Sequence, residues 1–557
     1  MSSYFETLPP ELVYKIFRYL NAQTIARSVR CVCRRLYELV NVYDEYDFNF
    51  KSIRKCDLIF LCNFIDLNRV QSLTLSNDNQ TSGQIEYFLA RYRLNYFTEL
   101  RSLTLIDIEN CYLNIILKDI QQLKLNTLKL KLNQDLEVNI TNEDFTRVLA
   151  LPTLQEFVYA GWNNRFNQFS WPSQCALRFL SIRCERLQKF YDIVRYLPNL
   201  QELCLHSLYD TVLNGIPPKP DDLQGFHQLK YLKLNNEQID ITVLCIILSL
   251  TPTIERFEII NGIDLNEFIS NLSELEKFIQ ENLVLLTKFD FFFYIFNPIN
   301  DTQTYLSRFQ TPFWLSIKKW FVVCDYMYNP RDIVLRTASF YDPNFQLEYG
   351  VSQQMTQLCS LSNIANNNNE VKKLSLDLNL NIPSANGTIR VRSMNVRFKN
   401  VNELKLNIGD EWPLGSLRYI STMIEISKIE DLTLCLGNSF SLSSQIQLNL
   451  ERLFQLTTNI HTLNIFINSM FNRSINDDFL THIFSLVPHC VRHLTLHVSS
   501  TYQIQNLIEQ MKSCSSITFK FVNYYQELPE SFINWLECEK HCQTYQSNSN
   551  AFSIWLN

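Results

Sequence analysis

A six-residue pattern of apolar side chains recurs through most of this 557-residue chain. The first, fourth and sixth positions of each copy are apolar, as in LRSLTL at residues 100–105. Because apolar residues make up 46% of the chain, one match means little, and the prediction depends on regular spacing. Successive copies begin 23 to 32 residues apart, except for one interval of 54 residues. The copies lie at residues 70–75, 100–105, 125–130, 154–159, 177–182, 200–205, 229–234, 254–259, 286–291, 317–322, 371–376, 401–406, 429–434, 460–465, 491–496 and 514–519.

Amphipathic helical stripes separate many of these copies. Apolar residues with the i, i+3, i+4, i+7 spacing of one helix face occur at 187–194, 241–248, 480–487 and 504–511. One strand with one helix cannot bury its apolar face alone, so successive units stack and share a core. The pattern predicts an α/β solenoid with a parallel sheet on one side and helices on the other. A generic α/β enzyme is the alternative, and the low count of 10 glycines argues against its Gly-rich loops.

The strand–helix unit resembles the leucine-rich repeat in a divergent form, since the Asn or Cys that commonly follows the strand is mostly missing. The resemblance implies a solenoid over residues 49–545, with its parallel β-sheet on the concave side and its helices on the convex side. The long interval between Ile317 and Val371, together with the asparagine tract at 366–369, predicts an irregular insertion near 324–370. Residues 546–557 are interpreted as a C-terminal tail.

The residues ahead of the repeats follow a different pattern. Pro9 and Pro10 stand where a helix can begin, and apolar residues continue at helical spacing as far as Leu36. Asn21 is suited to cap a second short helix, with Thr24 three residues on. About ten large apolar residues within some thirty positions are more than a three-helix unit buries internally. Some of them are therefore expected to face another protein.

At these residues the chain resembles an F-box over roughly residues 5–43, and we assign residues 1–48 to this helical module. The matching pairs are Leu8-Pro9, Glu11-Leu12, Ile16-Phe17, Tyr19-Leu20, Val32-Cys33 and Arg34-Arg35. Two positions depart from the family pattern: Thr24 stands where an Asp is usual, and Leu36 where a Trp is usual. Thr24 weakens a helix cap and Leu36 is a smaller anchor, so both bear on the strength of partner binding. A helical hairpin that only caps the solenoid is the alternative.

The F-box resemblance implies binding to a Skp-type adaptor and, through it, to a cullin scaffold. The residues expected to contact the adaptor are Leu8, Pro9, Leu12, Ile16, Phe17, Leu20, Ile25, Val29, Val32, Cys33 and Leu36. The chain would then be a substrate-recognition subunit of a cullin-type (SCF-like) ubiquitin ligase. A leucine-rich-repeat scaffold or sensor that works outside ubiquitination is the alternative.

The sequence carries no motif of known catalytic or metal chemistry, so we expect no enzyme activity, cofactor or metal. Cys538, His541 and Cys542 lack a fourth ligand at suitable spacing. Lys318 and Lys319 beside Trp320 suggest base stacking, but Ile317, Trp320 and Val322 occupy inward repeat positions and are better explained as core. An enzyme with an unrecognised site is a third hypothesis.

The composition argues against nucleic acid and membranes as partners and favours proteins. Net charge is −6 with both signs interspersed, so nucleic acid is not expected. The longest apolar runs, at 243–250 and 289–296, are too short to span a bilayer, and the N-terminus lacks a signal peptide, so we expect no membrane. We expect a cytoplasmic or nuclear protein whose cysteines are reduced.

Substrate binding is predicted on the exposed face of the sheet. The fifth position of each copy points away from the fourth and sixth, because side chains alternate along a strand. The fifth-position residues are short or mixed in charge, which suits a protein ligand better than nucleic acid. The most varied portion of this line predicts the substrate-binding residues Lys233, Glu258, Asp290 and Phe321.

Overall fold

The chain divides into two compact units, residues 1–293 and 294–557, in a computed structural model. The asparagine tract at 366–369, His541 and Cys542 lie outside the described residues. The structure describes residues 8–132, 142–161, 171–172, 175–184, 186–207, 225–235, 241–260, 265–296, 302–328, 331–338, 347–350, 355–359, 371–378, 398–408, 412, 415–437, 444–467, 477–498, 500–510, 514–521, 530–538, 545–548 and 551–556.

The first unit is built on ten strands that follow one another in chain order across one sheet. Neighbouring strands among these ten pair in parallel, and Leu103, for example, lies in register between Leu73 and Leu128 of the strands on either side. Nine of the ten strands coincide with the apolar copies from 70–75 to 286–291. The strands are β1 (Tyr46–Asn49), β2 (Val70–Ser76), β3 (Ser102–Ile108), β4 (Thr127–Leu132), β5 (Glu156–Ala160), β6 (Phe179–Arg183), β7 (Glu202–His206), β8 (Tyr231–Asn235), β9 (Arg256–Ile260) and β10 (Lys288–Phe296).

Helices pack on the face of this sheet that carries the fourth and sixth positions. Phe145 of α7 lies 6.5 Å from the ring of Phe157 and 5.7 Å from that of Tyr159, which are the fourth and sixth positions of β5. Burial of these apolar pairs against helices is what makes the six-residue pattern form strands. The helices of this unit are α1 (Pro10–Phe17), α2 (Ala22–Arg27), α3 (Arg34–Val42), α4 (Lys55–Phe64), α5 (Gln84–Leu89), α6 (Asn110–Ile120), α7 (Asn142–Leu149), α8 (Leu187–Tyr196), α9 (Ile241–Ser249), α10 (Leu265–Ser270) and α11 (Leu272–Asn282).

The second unit begins with antiparallel pairing. The strand β11 (Val322–Tyr328) pairs antiparallel with both β12 (Arg331–Thr337) and β14 (Met355–Cys359). A buried ion pair joins β11 and β12, with Arg336 Nε 3.1 Å from a carboxylate oxygen of Asp325. These strands occupy much of the stretch that the sequence assigned to an irregular insertion near 324–370. The repeat copy at 317–322 is not a strand, because residues Phe313–Ile317 form a π-helical turn and leave Ile317 exposed, although Trp320 and Val322 are buried.

Parallel pairing resumes after this region. A separate sheet begins with β13 (Leu347–Gly350) and continues in chain order through six further strands, one from each of the six copies from 371–376 to 514–519. They are β15 (Lys373–Asp377), β16 (Glu403–Ile408), β17 (Asp431–Leu436), β18 (Thr462–Ile467), β19 (His493–Val498) and β20 (Ser516–Phe521). The helices of this unit are α12 (Thr302–Ser307), α13 (Ser416–Met423), α14 (Ser444–Leu456), α15 (Asp477–Leu486), α16 (Thr501–Gln510) and α17 (Glu530–Cys538).

The last described residues form strands where the sequence predicted a tail. The strand β22 (Ala551–Trp555) pairs antiparallel with β20, and β21 (Tyr545–Asn548) pairs antiparallel with β22. Phe552, Ile554 and Trp555 are buried, which explains why this segment joins the sheet.

The mixed α/β class with parallel strands and an N-terminal helical module is confirmed. The assignment of the strand–helix units to leucine-rich repeats, and of the whole array to a solenoid, stays a prediction. Among the described helices, none combines the length and the apolar content that a membrane crossing requires.

Candidate partner-binding surfaces

Helix α1 carries two apolar stripes on different faces. Val13 and Phe17, four residues apart, are buried inside the N-terminal module. Leu12 lies on another face and is exposed, Ile16 one turn later is half-buried, and the exposed Tyr19 follows in the turn just after the helix ends. Pro10 occupies the first turn, where its missing N–H costs nothing. The first stripe holds the module together, and the second is available to a partner.

Helices α1 and α3 lie side by side and in the same direction. The Arg35 guanidinium donates to the Leu8 carbonyl, which brings the start of α1 beside the start of α3. At the other end Arg18 binds Glu45 through contacts of 2.5 and 2.7 Å, and the rings of Phe17 and Tyr43 lie 5.3 Å apart. The hydrogen bond from Arg18 lowers the pKa of Glu45.

The second helix is held by the predicted cap. The Asn21 side chain accepts a hydrogen bond of 2.7 Å from the Thr24 backbone N–H. Thr24 therefore supplies its backbone to the cap, and its side chain is not needed for this contact. A 3₁₀ turn at Val29–Cys31 then joins α2 to α3.

The predicted adaptor-binding residues fall into three groups. Pro9, Leu12 and Val32 are exposed; Leu8, Ile16, Leu20, Val29 and Cys33 are half-buried; Phe17, Ile25 and Leu36 are buried in the module core. The three buried residues support the surface from below in this conformation. Three further large apolar residues are exposed that the prediction did not include, Tyr19, Tyr37 and Val42. Tyr19 was visible in the sequence as part of the Tyr19-Leu20 pair.

Exposed apolar side chains are concentrated in this module. Five of the fourteen large apolar side chains that are exposed among the described residues lie within residues 8–44, a small part of the chain. They are Leu12, Tyr19, Val32, Tyr37 and Val42. Such a concentration is typical of a surface that another protein covers.

The module is also joined tightly to the first repeat. Arg27 of α2 and Arg54 both bind the buried carboxylate of Asp57 in α4, at 2.7 and 2.8 Å. Arg27 also lies 4.6 Å above the ring of Phe60, and Arg30 lies 4.2 Å above that of Phe64. These two rings stack 5.4 Å apart. Sequence reasoning missed this junction, because Arg27 and Arg30 belong to one predicted domain and their partners in α4 to the next.

Three of the four predicted substrate-binding residues lie side by side on the sheet face that the helices leave open, but Glu258 and Asp290 are buried there, whereas the prediction placed them on an exposed line. Strand register places Lys233, Glu258 and Asp290 side by side on β8, β9 and β10. Lys233 Nζ lies 3.4 Å from Glu258, whose carboxylate is buried. Phe321 belongs to the second unit, where it is half-buried just ahead of β11.

Two cations that the sequence analysis did not single out complete this row. Arg256 binds Glu258 and lies 3.8 Å from Asp290, and Lys288 lies 2.8 Å from Asp290. They occupy the third position of their copies, which projects from the same face as the fifth. Burial raises the pKa of Tyr231, whose ring lies 5.1 Å from the Arg256 guanidinium. On the adjacent strand burial raises the pKa of Cys204 to about 12.

A serine and a histidine meet on the neighbouring strands of this face. Ser181 Oγ lies 3.2 Å from His206 Nε2, and burial lowers the pKa of the imidazole. Across the residues that the structure describes, no group of three or more His, Cys, Asp or Glu side chains is placed to hold a metal ion.

Comparison with known proteins identifies the N-terminal module alone. The family model described as F-box-like matches residues 5–44. A search of curated proteins found no match to the chain. The match covers α1, α2 and α3, so these three helices and the exposed apolar side chains on them belong to an F-box-like domain.

Proposed function

We propose that this chain is the substrate-recognition subunit of a cullin-type ubiquitin ligase. Its F-box-like domain binds a Skp-type adaptor and, through it, a cullin scaffold. Its strand–helix units, as divergent leucine-rich repeats, bind a protein substrate. The chain performs no bond chemistry in this proposal and acts in the cytoplasm or nucleus by holding the substrate near a ubiquitin-charged enzyme.

One observation carries the adaptor-binding step: the F-box-like match coincides with the greatest concentration of exposed apolar side chains among the described residues. F-box domains generally bind Skp-type adaptors, which gives this surface a partner. Leu8 and Pro9 at the start of α1 and Val32 just before α3 lie at the same end of the module, because Arg35 joins the two helix starts. An apolar partner surface placed there covers all three.

The substrate-binding step is supported by the sheet faces. In each unit the parallel strands bury their fourth and sixth positions under helices and leave the third and fifth on the other face. Most of these positions carry polar or charged side chains, and their identity changes from strand to strand. Such a surface varies in chemistry without changing the fold, which suits recognition of one particular protein.

Capture of a purified Skp-type adaptor by the full chain is the direct test. We expect binding at micromolar concentrations, weakened by Leu8→Ala with Pro9→Ala, while circular dichroism of the chain stays unchanged. The matched control is Val284→Ala with Leu285→Ala, a pair of exposed apolar residues in the turn before β10. Absence of binding by the unaltered chain at micromolar concentrations would contradict the proposal.

A scaffold or sensor that acts outside ubiquitination is the second candidate, and the junction between the module and α4 favours it. The contacts of Arg27 and Arg30 with Asp57, Phe60 and Phe64 are those expected of a cap on a repeat array. In that case the unaltered chain does not bind the adaptor, and the Leu8 and Pro9 substitutions lower only the stability of the first unit. A bound partner that proteasome inhibition fails to stabilise would also favour this candidate.

A further inference from the structure

The open face of β8, β9 and β10 carries a charge arrangement that bears on the kind of partner it binds. Cations and carboxylates alternate across the three strands in the order Lys233, Glu258, Arg256, Asp290, Lys288. Arg256 lies between the two carboxylates and contacts both. We call these five residues the charge row.

Burial separates the two signs within the charge row. The side chains of the two acids, Glu258 and Asp290, are no more than 3% exposed. The side chains of the three cations are between 22% and 46% exposed. The acids therefore lie beneath and the cations lie above them. A partner that approaches this face meets ammonium and guanidinium groups, which have donors beyond those used on the carboxylates.

The buried carboxylates also hold the cations in place. A long cationic side chain loses rotamer freedom when it binds a ligand, and a cation that is already anchored loses less. Tyr231 adds a second support, because its ring lies 5.1 Å from the Arg256 guanidinium. The row is thus pre-organised for an anionic partner.

The surroundings limit where an anion can bind. The charge row has three cations and two carboxylates, whereas the chain as a whole has a net charge of −6. On β7 the exposed Glu202 faces Tyr231 in register, so the side of the row toward β7 repels anions. The row is therefore locally positive in a chain of negative net charge, and Glu202 makes its β9 and β10 side the more favourable one for an acidic partner.

We propose that the charge row is the docking point for a carboxylate-rich segment of a partner protein. The inference rests on the proposed function only in taking that partner to be the ligase substrate. The carboxylates of the segment accept hydrogen bonds from Lys233, Arg256 and Lys288, and the buried acids keep these cations oriented toward it.

The test measures fluorescence anisotropy of labelled octaglutamate titrated with the full chain, with octaglutamine as the uncharged control. Measurements at about 50 mM and about 300 mM salt separate a charge effect, because the screening length differs about 2.5-fold between them. We expect octaglutamate to bind at low salt, to weaken at high salt, and octaglutamine not to bind.

Two substitutions give opposite expected results. Lys288→Gln weakens octaglutamate binding by roughly two- to fivefold, the range that one solvent-screened charge contact supplies. Glu258→Gln removes one buried negative charge that competes with the ligand for the cations. Its amide oxygen still accepts hydrogen bonds from Arg256 and Lys233, so the cations stay anchored and binding tightens by a similar factor. A misfolded variant cannot bind more tightly, so this second variant separates recognition from stability. Lys131→Gln, which removes an exposed cation from β4 on the same sheet, is the matched control and changes binding less.

Three results would overturn the inference: no tightening in Glu258→Gln, equal loss in Lys131→Gln and Lys288→Gln, or a phosphoserine peptide that binds more than about tenfold tighter than octaglutamate. Adaptor capture is measured on the same preparations. If the unaltered chain captures the adaptor but does not bind octaglutamate, the charge-row proposal alone is refuted; if it binds octaglutamate but does not capture the adaptor, the ligase role alone is refuted.

Discussion

The exposed fractions of the Leu12 and Val32 side chains determine how much adaptor affinity should be lost when both are replaced by alanine. Leu12 is 43% and Val32 is 70% exposed in the free chain. Full burial of a Leu or Val side chain contributes about 1.5–3 kcal/mol, so burying these exposed fractions contributes together about 2–3 kcal/mol. Alanine keeps its Cβ, so the double variant Leu12→Ala, Val32→Ala loses the lower part of this range, about thirtyfold in affinity.

The assay is a titration of purified Skp-type adaptor by isothermal calorimetry. Both substitutions are at exposed sites, so the unfolding free energy should change by no more than about 0.5 kcal/mol. The control is Leu448→Ala on α14, because Leu448 is 40% exposed and lies outside the F-box-like domain. A double variant that binds within threefold of the unaltered chain, or a control that loses as much affinity, would refute the argument that exposed apolar area drives this contact.

Three further predictions concern stability and reactivity. Asp57→Asn should lower the free energy of hydrogen-exchange protection of α2 and α4 by about 1–2 kcal/mol, because the charge-assisted contacts of Asp57 are lost while its two half-exposed arginines regain water. The control Asp66→Asn, at an exposed ion pair, should change this protection by less than about 0.5 kcal/mol. Burial lowers the pKa of His206, so its contribution to stability is complete above about pH 6.5 and is lost as pH falls toward the lowered folded value. Urea unfolding across that range should therefore show a smaller pH slope in His206→Gln, and an unchanged slope would contradict this assignment. Alkylation followed by mass spectrometry should label exposed Cys31 well before buried Cys62, whose pKa burial raises to about 12, and equal rates would contradict the burial.

The strands were predictable where one face is covered by helices. In such strands the fourth and sixth positions must be apolar, so the pattern and the buried residues coincide from 70–75 to 286–291 and again from 371–376 onward. The copy at 317–322 matched by composition alone, and its first residue, Ile317, is exposed in a π-helical turn. β1 was missed because four residues that alternate Tyr46, Asp47, Phe48 and Asn49 do not contain the six-residue pattern.

The candidate site was predictable in outline only. Helical spacing shows that α1 is apolar, but it does not show which of two apolar stripes packs inward, so Phe17 was placed among the contact residues although it is buried. Burial of Glu258 and Asp290 depends on neighbouring strands, which no local pattern reveals. Arg256 was missed because the sequence analysis followed the fifth position alone, although the same alternation places the third position on that face.

The stacked rings of Phe60 and Phe64 beneath Arg27 and Arg30 have a practical consequence for shortened versions of this protein. A fragment that starts after residue 44 would uncover both rings and the outer edge of β1, and would be prone to self-association. For partner searches, the intact chain with Leu12 and Val32 replaced by alanine is therefore a better bait than a truncated chain that lacks the first helices.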